Sequence, residues 1–144
     1  MPLPGPVGQS DSGISALKAN ADHSHSFLVG AETTTWFNLP LGPFVSNYGG
    51  GYRTAQYTVL GNLGFIRGLV AVSGAPGFPI VLGNIPVDIA PSAREMGVGM
   101  GFGGIFRIDL AIDGTLSNMG GITGSPTNPS YLSFGSPYFI YCTD

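Results

Sequence analysis

From Trp36 to the C-terminus the chain is punctuated: short apolar stretches rich in Val, Ile, Phe and Tyr are separated, at about ten-residue intervals, by Gly, Asn, Asp and Pro. A helix of ordinary length needs a longer uninterrupted period, so this pattern admits strands, tight turns and little else. Glycine and proline, 24 and 12 of 144 residues, reinforce the exclusion, because both are poor helix-interior residues. The chain is nonetheless equipped to fold: 43% of its residues are apolar and 11% aromatic, unlike the polar, highly charged composition of a disordered segment. At this length one domain is expected.

Two hairpins stand out. Residues 53–60 and 65–72 flank Gly61-Asn62-Leu63-Gly64, a linker with residues able to take positive φ. Residues 105–112 alternate before a turn at Asp113-Gly114, with Phe106, Ile108, Leu110 and Ile112 on one face and Ile105, Arg107, Asp109 and Ala111 on the other. Further strands are expected at residues 36–41, 80–85, 96–102, 131–134 and 138–141, giving about eight in all. Such spacing predicts an all-β fold across residues 32–144, an antiparallel β-sandwich or jelly-roll-like knob.

Residues 1–31 differ. They hold one aromatic residue, Phe27, of the chain's nine Phe, six Tyr and one Trp, and they open with Pro2, Leu3, Pro4 and Pro6. Their one helical stretch, residues 12–20, puts Ile14 and Leu17 on a common face but is too short to stand alone. They read as an extended N-terminal attachment arm, held by copies of itself or by a groove in a larger partner. Its expected contact residues are Pro2, Leu3, Pro4, Ile14 and Leu17.

Charge removes several classes of function. The five basic residues, Lys18, Arg53, Arg67, Arg94 and Arg107, are scattered through a chain of net charge −3, whereas nucleic-acid binding needs a clustered positive footprint. The longest uncharged apolar run, Gly68 to Val87, carries four Gly and three Pro and does not read as a membrane span. The first residues lack the basic and apolar regions of a secretory signal. Cys142 is the single cysteine, so neither an intrachain disulfide nor a thiolate metal cluster is expected. Charged residues make up only 9% of the chain against roughly 25% in an average domain, and a surface so poor in charge predicts an oligomer. Catalytic equipment is thin. Carboxylate pairs can be drawn only from residues such as Asp88, Glu95, Asp109 and Asp113, none of them expected to be catalytic, and no enzyme is expected.

An ordered set of short motifs carries a resemblance. Trp36-Phe-Asn-Leu39 is followed by Asn47-Tyr-Gly-Gly-Gly-Tyr52, Ala55-Gln-Tyr57 and Phe65-Ile-Arg-Gly-Leu-Val70. Then come Ile85-Pro86, Pro91-Ser92, Arg107-Ile-Asp109, Asp113-Gly114, Tyr131-Leu-Ser-Phe-Gly135 and Tyr138-Phe-Ile140. In this order, over residues 36–141, they resemble the C-terminal knob domains of small tail-fibre, minor tail and receptor-binding proteins of tailed bacteriophages. Where that family often has a Gly-Tyr-Arg-Pro loop, this chain reads Val87-Asp-Ile-Ala-Pro91. The resemblance implies a homotrimeric β-sandwich knob on the virion surface, at tail or head, made in the host cytoplasm.

Two constellations are candidate sites. His23 and His25, two apart on an extended arm, point the same way. Around a threefold axis they would offer six imidazole nitrogens to a transition metal such as iron, nickel or zinc; the alternative is a solvated arm with two histidines. Tyr48 and Tyr52, separated by three glycines, offer aromatic platforms on which sugar rings stack, with Trp36 as a third candidate. Tyr57, by contrast, reads as a strand core residue. The expected function is that of a phage virion structural protein, a receptor-binding knob anchored by its arm and contacting a bacterial surface glycan or protein. The alternative is a capsid decoration protein or head fibre. Its expected partners are itself and other virion proteins.

Overall fold

The computed structural model describes residues 34–74, 77–122 and 129–144; the expected arm contacts Pro2, Leu3, Pro4, Ile14 and Leu17 and the His23 and His25 pair lie outside them. The strands are β1 (Phe37–Asn38), β2 (Val45–Asn47), β3 (Gln56–Leu60), β4 (Leu63–Val72), β5 (Ile80–Asn84), β6 (Glu95–Gly101), β7 (Gly104–Leu110), β8 (Thr115–Gly121) and β9 (Tyr131–Cys142), with one short 3-10 turn at Val87–Ile89. Every pairing between them is antiparallel, as the sequence led one to expect. They form one sheet in the order β1-β3-β4-β9-β6-β7-β8-β5, with β2 pairing on β4 beyond β3.

The two layers of the expected sandwich are halves of this one curled sheet. Its outermost strands are joined by the segment after β1: Leu39 donates to the Ala55 carbonyl next to β3, while Gly42 donates to Leu82 and Pro40 accepts from Asn84, both on β5. Leu41 bridges Gly83 in the same place. The backbone groups an open edge would leave unpaired are here satisfied from both sides.

Alternation places the core inside the curl. On β4, Ile66, Val70 and Val72 point in while Phe65, Arg67 and Leu69 point out; on β7, Phe106, Ile108 and Leu110 are fully buried. Leu116, Leu132, Phe134 and Leu82 belong to the same cluster, each worth about 1.5–3 kcal/mol when fully buried. Tyr141 donates its hydroxyl to the Ile89 carbonyl 3.1 Å away, and burial pushes its pKa up to about 12, so it stays a neutral donor that pins the 3-10 turn.

Both expected hairpins form, with adjusted limits. β3 and β4 close through Gly61 and Asn62 alone, since Leu60 already pairs with Leu63 and Gly61 has φ 62°. In the second, Ala111 donates to Thr115 and the turn takes residues 111–114, which removes Ile112 from the core face and leaves it exposed. Residues 131–134 and 138–141 belong to one bent strand. β2, with a single apolar residue, gave no strand signal. Cys142 is exposed.

Asp109 points outward from β7 yet is only 1% exposed. Arg107 forks onto it, Nε to Oδ1 and Nη2 to Oδ2 each at 2.8 Å, and Arg94 approaches Oδ2 at 3.5 Å. The Arg107 hydrogen bonds hold its carboxyl below the usual range. The stabilisation is therefore complete above the unfolded carboxyl value, about 4, and disappears as pH falls through the folded value. Urea midpoints of the parent and Asp109→Asn are expected to differ at pH 7 and to converge on acidification. Parallel curves would show that this carboxylate is not held as an ion pair.

Candidate functional site

β4 runs continuously, but its ladder with β9 is interrupted: Arg67 pairs with Tyr138 and Leu69 with Ser133, so Gly68 faces four residues, 134–137, of β9. The surplus arches away from the sheet and makes one wall of a cleft of about 680 Å3, within the range of small-ligand sites, roughly 300–1,000 Å3.

The opposite wall is the loop between β2 and β3. It is fastened at both ends to one residue, Leu69, whose carbonyl accepts from Tyr48 and whose N–H donates to the Arg53 carbonyl. Asn47 adds a staple, accepting through Oδ1 from the Ala55 N–H at 2.8 Å. Between the fastenings Gly49, Gly50 and Gly51 have φ of 81°, 60° and 84°. At Gly49 and Gly51 an added Cβ would meet nothing within 4 Å, so backbone conformation rather than space calls for glycine there.

Aromatic rings gather in two groups. Tyr48 meets Tyr52 edge-on at 5.4 Å and Tyr131 at 5.8 Å, with Phe102 beyond Tyr131 at 6.3 Å. In the second group Tyr138 stacks on Trp36 at 5.9 Å and meets the edge of Phe65. The Arg67 guanidinium lies 3.5 Å over the Trp36 ring, worth about 0.5–2 kcal/mol in such positions. Gln56 Oε1 accepts from its Nε and Nη2 at 3.1 and 2.8 Å, which fixes the guanidinium against the cleft. Ser133, Ser136 and Met100 also line the cleft.

Of the three aromatic candidates of the sequence, the structure brings two together. Tyr48 and Tyr52 line the cleft; Trp36 stands behind it, supporting Tyr138 and Arg67. Tyr57 is partly buried against the core and stacks on Phe37, as its plain reading held. Tyr131, Tyr138, Arg53 and Arg67 were missed as site residues. Gln56 partners Arg67, whose register opposite Tyr138 depends on the bend in β9. Asp88, Glu95, Asp109 and Asp113 are not in the lining. Among the described residues no group of three or more His, Cys, Asp and Glu is placed to hold a metal ion.

The fold has known counterparts. The chain is similar to the receptor-binding protein of Listeria phage PSA, at 16% identity over 90% of this chain and 77% of that one, with a TM-score of 0.54. It is also similar to the head domain of lactococcal phage bIL170, studied as a receptor-binding domain, at 18% identity over 76% of this chain and 97% of that one, with a TM-score of 0.51. No protein-family model and no curated protein matches the sequence. The likeness is one of fold, and the two counterparts are phage receptor-binding proteins, the kind of protein the motifs resembled.

Proposed function

We propose that this chain is the receptor-binding knob of a phage virion and that its cleft holds a saccharide of the bacterial surface. The observation that carries this reading is the cleft itself: Tyr48 and Tyr52 from the β2–β3 loop and Tyr131 and Tyr138 from β9 line one open groove together with Ser133 and Ser136. Flat aromatic faces take the apolar faces of sugar rings, and hydroxyls and guanidinium groups read their edges. Its framework is shared with phage receptor-binding domains.

The working unit in this reading is a homotrimer attached to other virion proteins through residues 1–31. Support for self-association comes from the outer face of β6 and its turn, where Met96, Val98 and Phe102 are 68%, 48% and 68% exposed, an apolar run of the kind that partners cover.

Adhesion tests the function directly. Purified full-length protein, shown by light scattering to be three chains, is expected to bind the cells its phage infects and to compete with phage adsorption. Tyr48→Ala should weaken that binding about tenfold, the loss of one aromatic anchor. A correctly folded protein that neither binds nor competes would overturn the receptor reading in favour of a knob that only decorates the particle.

A further inference from the structure

Over its first half β6 has a ladder partner on one side only. The Ile105 carbonyl accepts from the Ile122 N–H, which turns Ile105 away from β6, and along β7 the main-chain bonds alternate between its two neighbours. In that register Gly97, Gly99 and Gly101 bond to β7, while Met96, Val98 and Met100 direct their N–H and C=O groups to the opposite side. There the ladder with β9 holds a single pair, Gly101 with Leu132, and the Met100 N–H donates to the Ser133 hydroxyl at 3.1 Å. Toward the start of β6 the surplus of β9 arches away, and no strand of the described residues stands opposite Met96 or Val98. Native proteins blunt such an edge with proline, lysine or a bulge, or cover it. Residues 95–101 read Glu-Met-Gly-Val-Gly-Met-Gly, without proline or lysine, and their pairing with β7 runs without a bulge.

We infer that a strand from a second copy of this chain closes the open edge of β6 at Met96 and Val98, main chain to main chain. The inference rests on the self-association reading above and adds to it the edge through which the copies join. An extended polypeptide carries N–H and C=O groups at the spacing that such an edge requires, and a saccharide does not. The surroundings favour a second copy as the occupant. Met96 and Val98 also expose their side chains, and Phe102 continues the apolar run around the turn, so one strand laid here satisfies backbone and side chains together. Arg107, opposite Val98, is already bound to Asp109, so the edge does not ask for a partner of opposite charge. With only 9% charged residues, another copy brings little repulsion to the contact. A closed ring of identical copies joins two different patches of each, so the strand that meets β6 is a different edge of the neighbour.

Hydrogen exchange of the assembled full-length protein, read amide by amide by NMR, tests the closure. The Met96 and Val98 amides are expected to exchange at least about a hundredfold more slowly than unprotected amides, together with a second segment that is the matching edge. Val98→Pro removes the outward N–H, keeps an apolar side chain and leaves the bonds to β7 in place, a change that strands accept on an open edge. It should fold, by circular dichroism and Trp36 fluorescence, yet weaken assembly in light scattering at least about a hundredfold. Val98→Thr keeps the N–H and the branched shape and should assemble within about fivefold of the parent. Fast exchange at both amides in an assembly of three chains would overturn the edge pairing while leaving self-association intact. A folded Val98→Pro that assembles like the parent would do the same. A single chain at every concentration would overturn the self-association reading, and this inference with it.

Discussion

Gly99→Val is expected to destabilise the protein by about 3 kcal/mol or more, although valine is a far better strand residue than glycine. On β6 the inward positions are Gly97, Gly99 and Gly101, because β9 passes close beneath them. A Cβ on Gly99 would run into the Ser133 carbonyl oxygen and come within 2.7 Å of Ile108 Cδ1. Backbone cannot step aside as a flexible side chain can, so the strain falls on the β6–β9 contact. Urea unfolding followed by the fluorescence of the single tryptophan, Trp36, measures it. Ile112→Val, in the exposed turn after β7, should stay within about 0.5 kcal/mol. Equal midpoints for Gly99→Val and the parent would mean that β9 does not lie under β6.

The second large effect belongs to binding rather than stability. Replacing Gly49, Gly50 and Gly51 together by alanine asks three successive L-residues to hold left-handed φ, at about 1–2 kcal/mol each. The loop is not forced to bear that strain: it can let go of Leu69 and relax, which limits the cost to the few hydrogen bonds that fasten it. Thermal melting should therefore move modestly while adhesion to host cells falls at least about tenfold, because Tyr48 and Tyr52 leave the cleft wall. Adhesion at the parental level would remove the loop from the ligand site.

What could be read from the sequence follows the range of the forces involved. Alternation and turn chemistry are local, and they located the β3–β4 and β7–β8 hairpins and the common face of Phe106, Ile108 and Leu110. Tyr48 and Tyr52 were legible because three glycines between two tyrosines are unusual in a strand-forming stretch. Tyr131 and Tyr138 were not, since they reach the cleft only through the bend that joins two expected strands into β9. The closure of the sheet through residues 39–42 left no pattern at all, being a contact between segments about forty residues apart. Asp109 was recognised as a neighbour of Arg107 by its spacing of two, but Arg94 reaches it from beyond the start of β6, where periodicity says nothing.

The double fastening of the 48–53 loop to Leu69 separates two kinds of sequence freedom. Its ends are set by main-chain atoms of one strand residue, so, the three glycines apart, the sheet is indifferent to which side chains stand between them. Lengthening the segment raises the entropy cost only logarithmically. A chain of this design can thus exchange one ligand for another by rewriting a handful of loop positions, with the barrel-like body carried over unaltered from one specificity to the next.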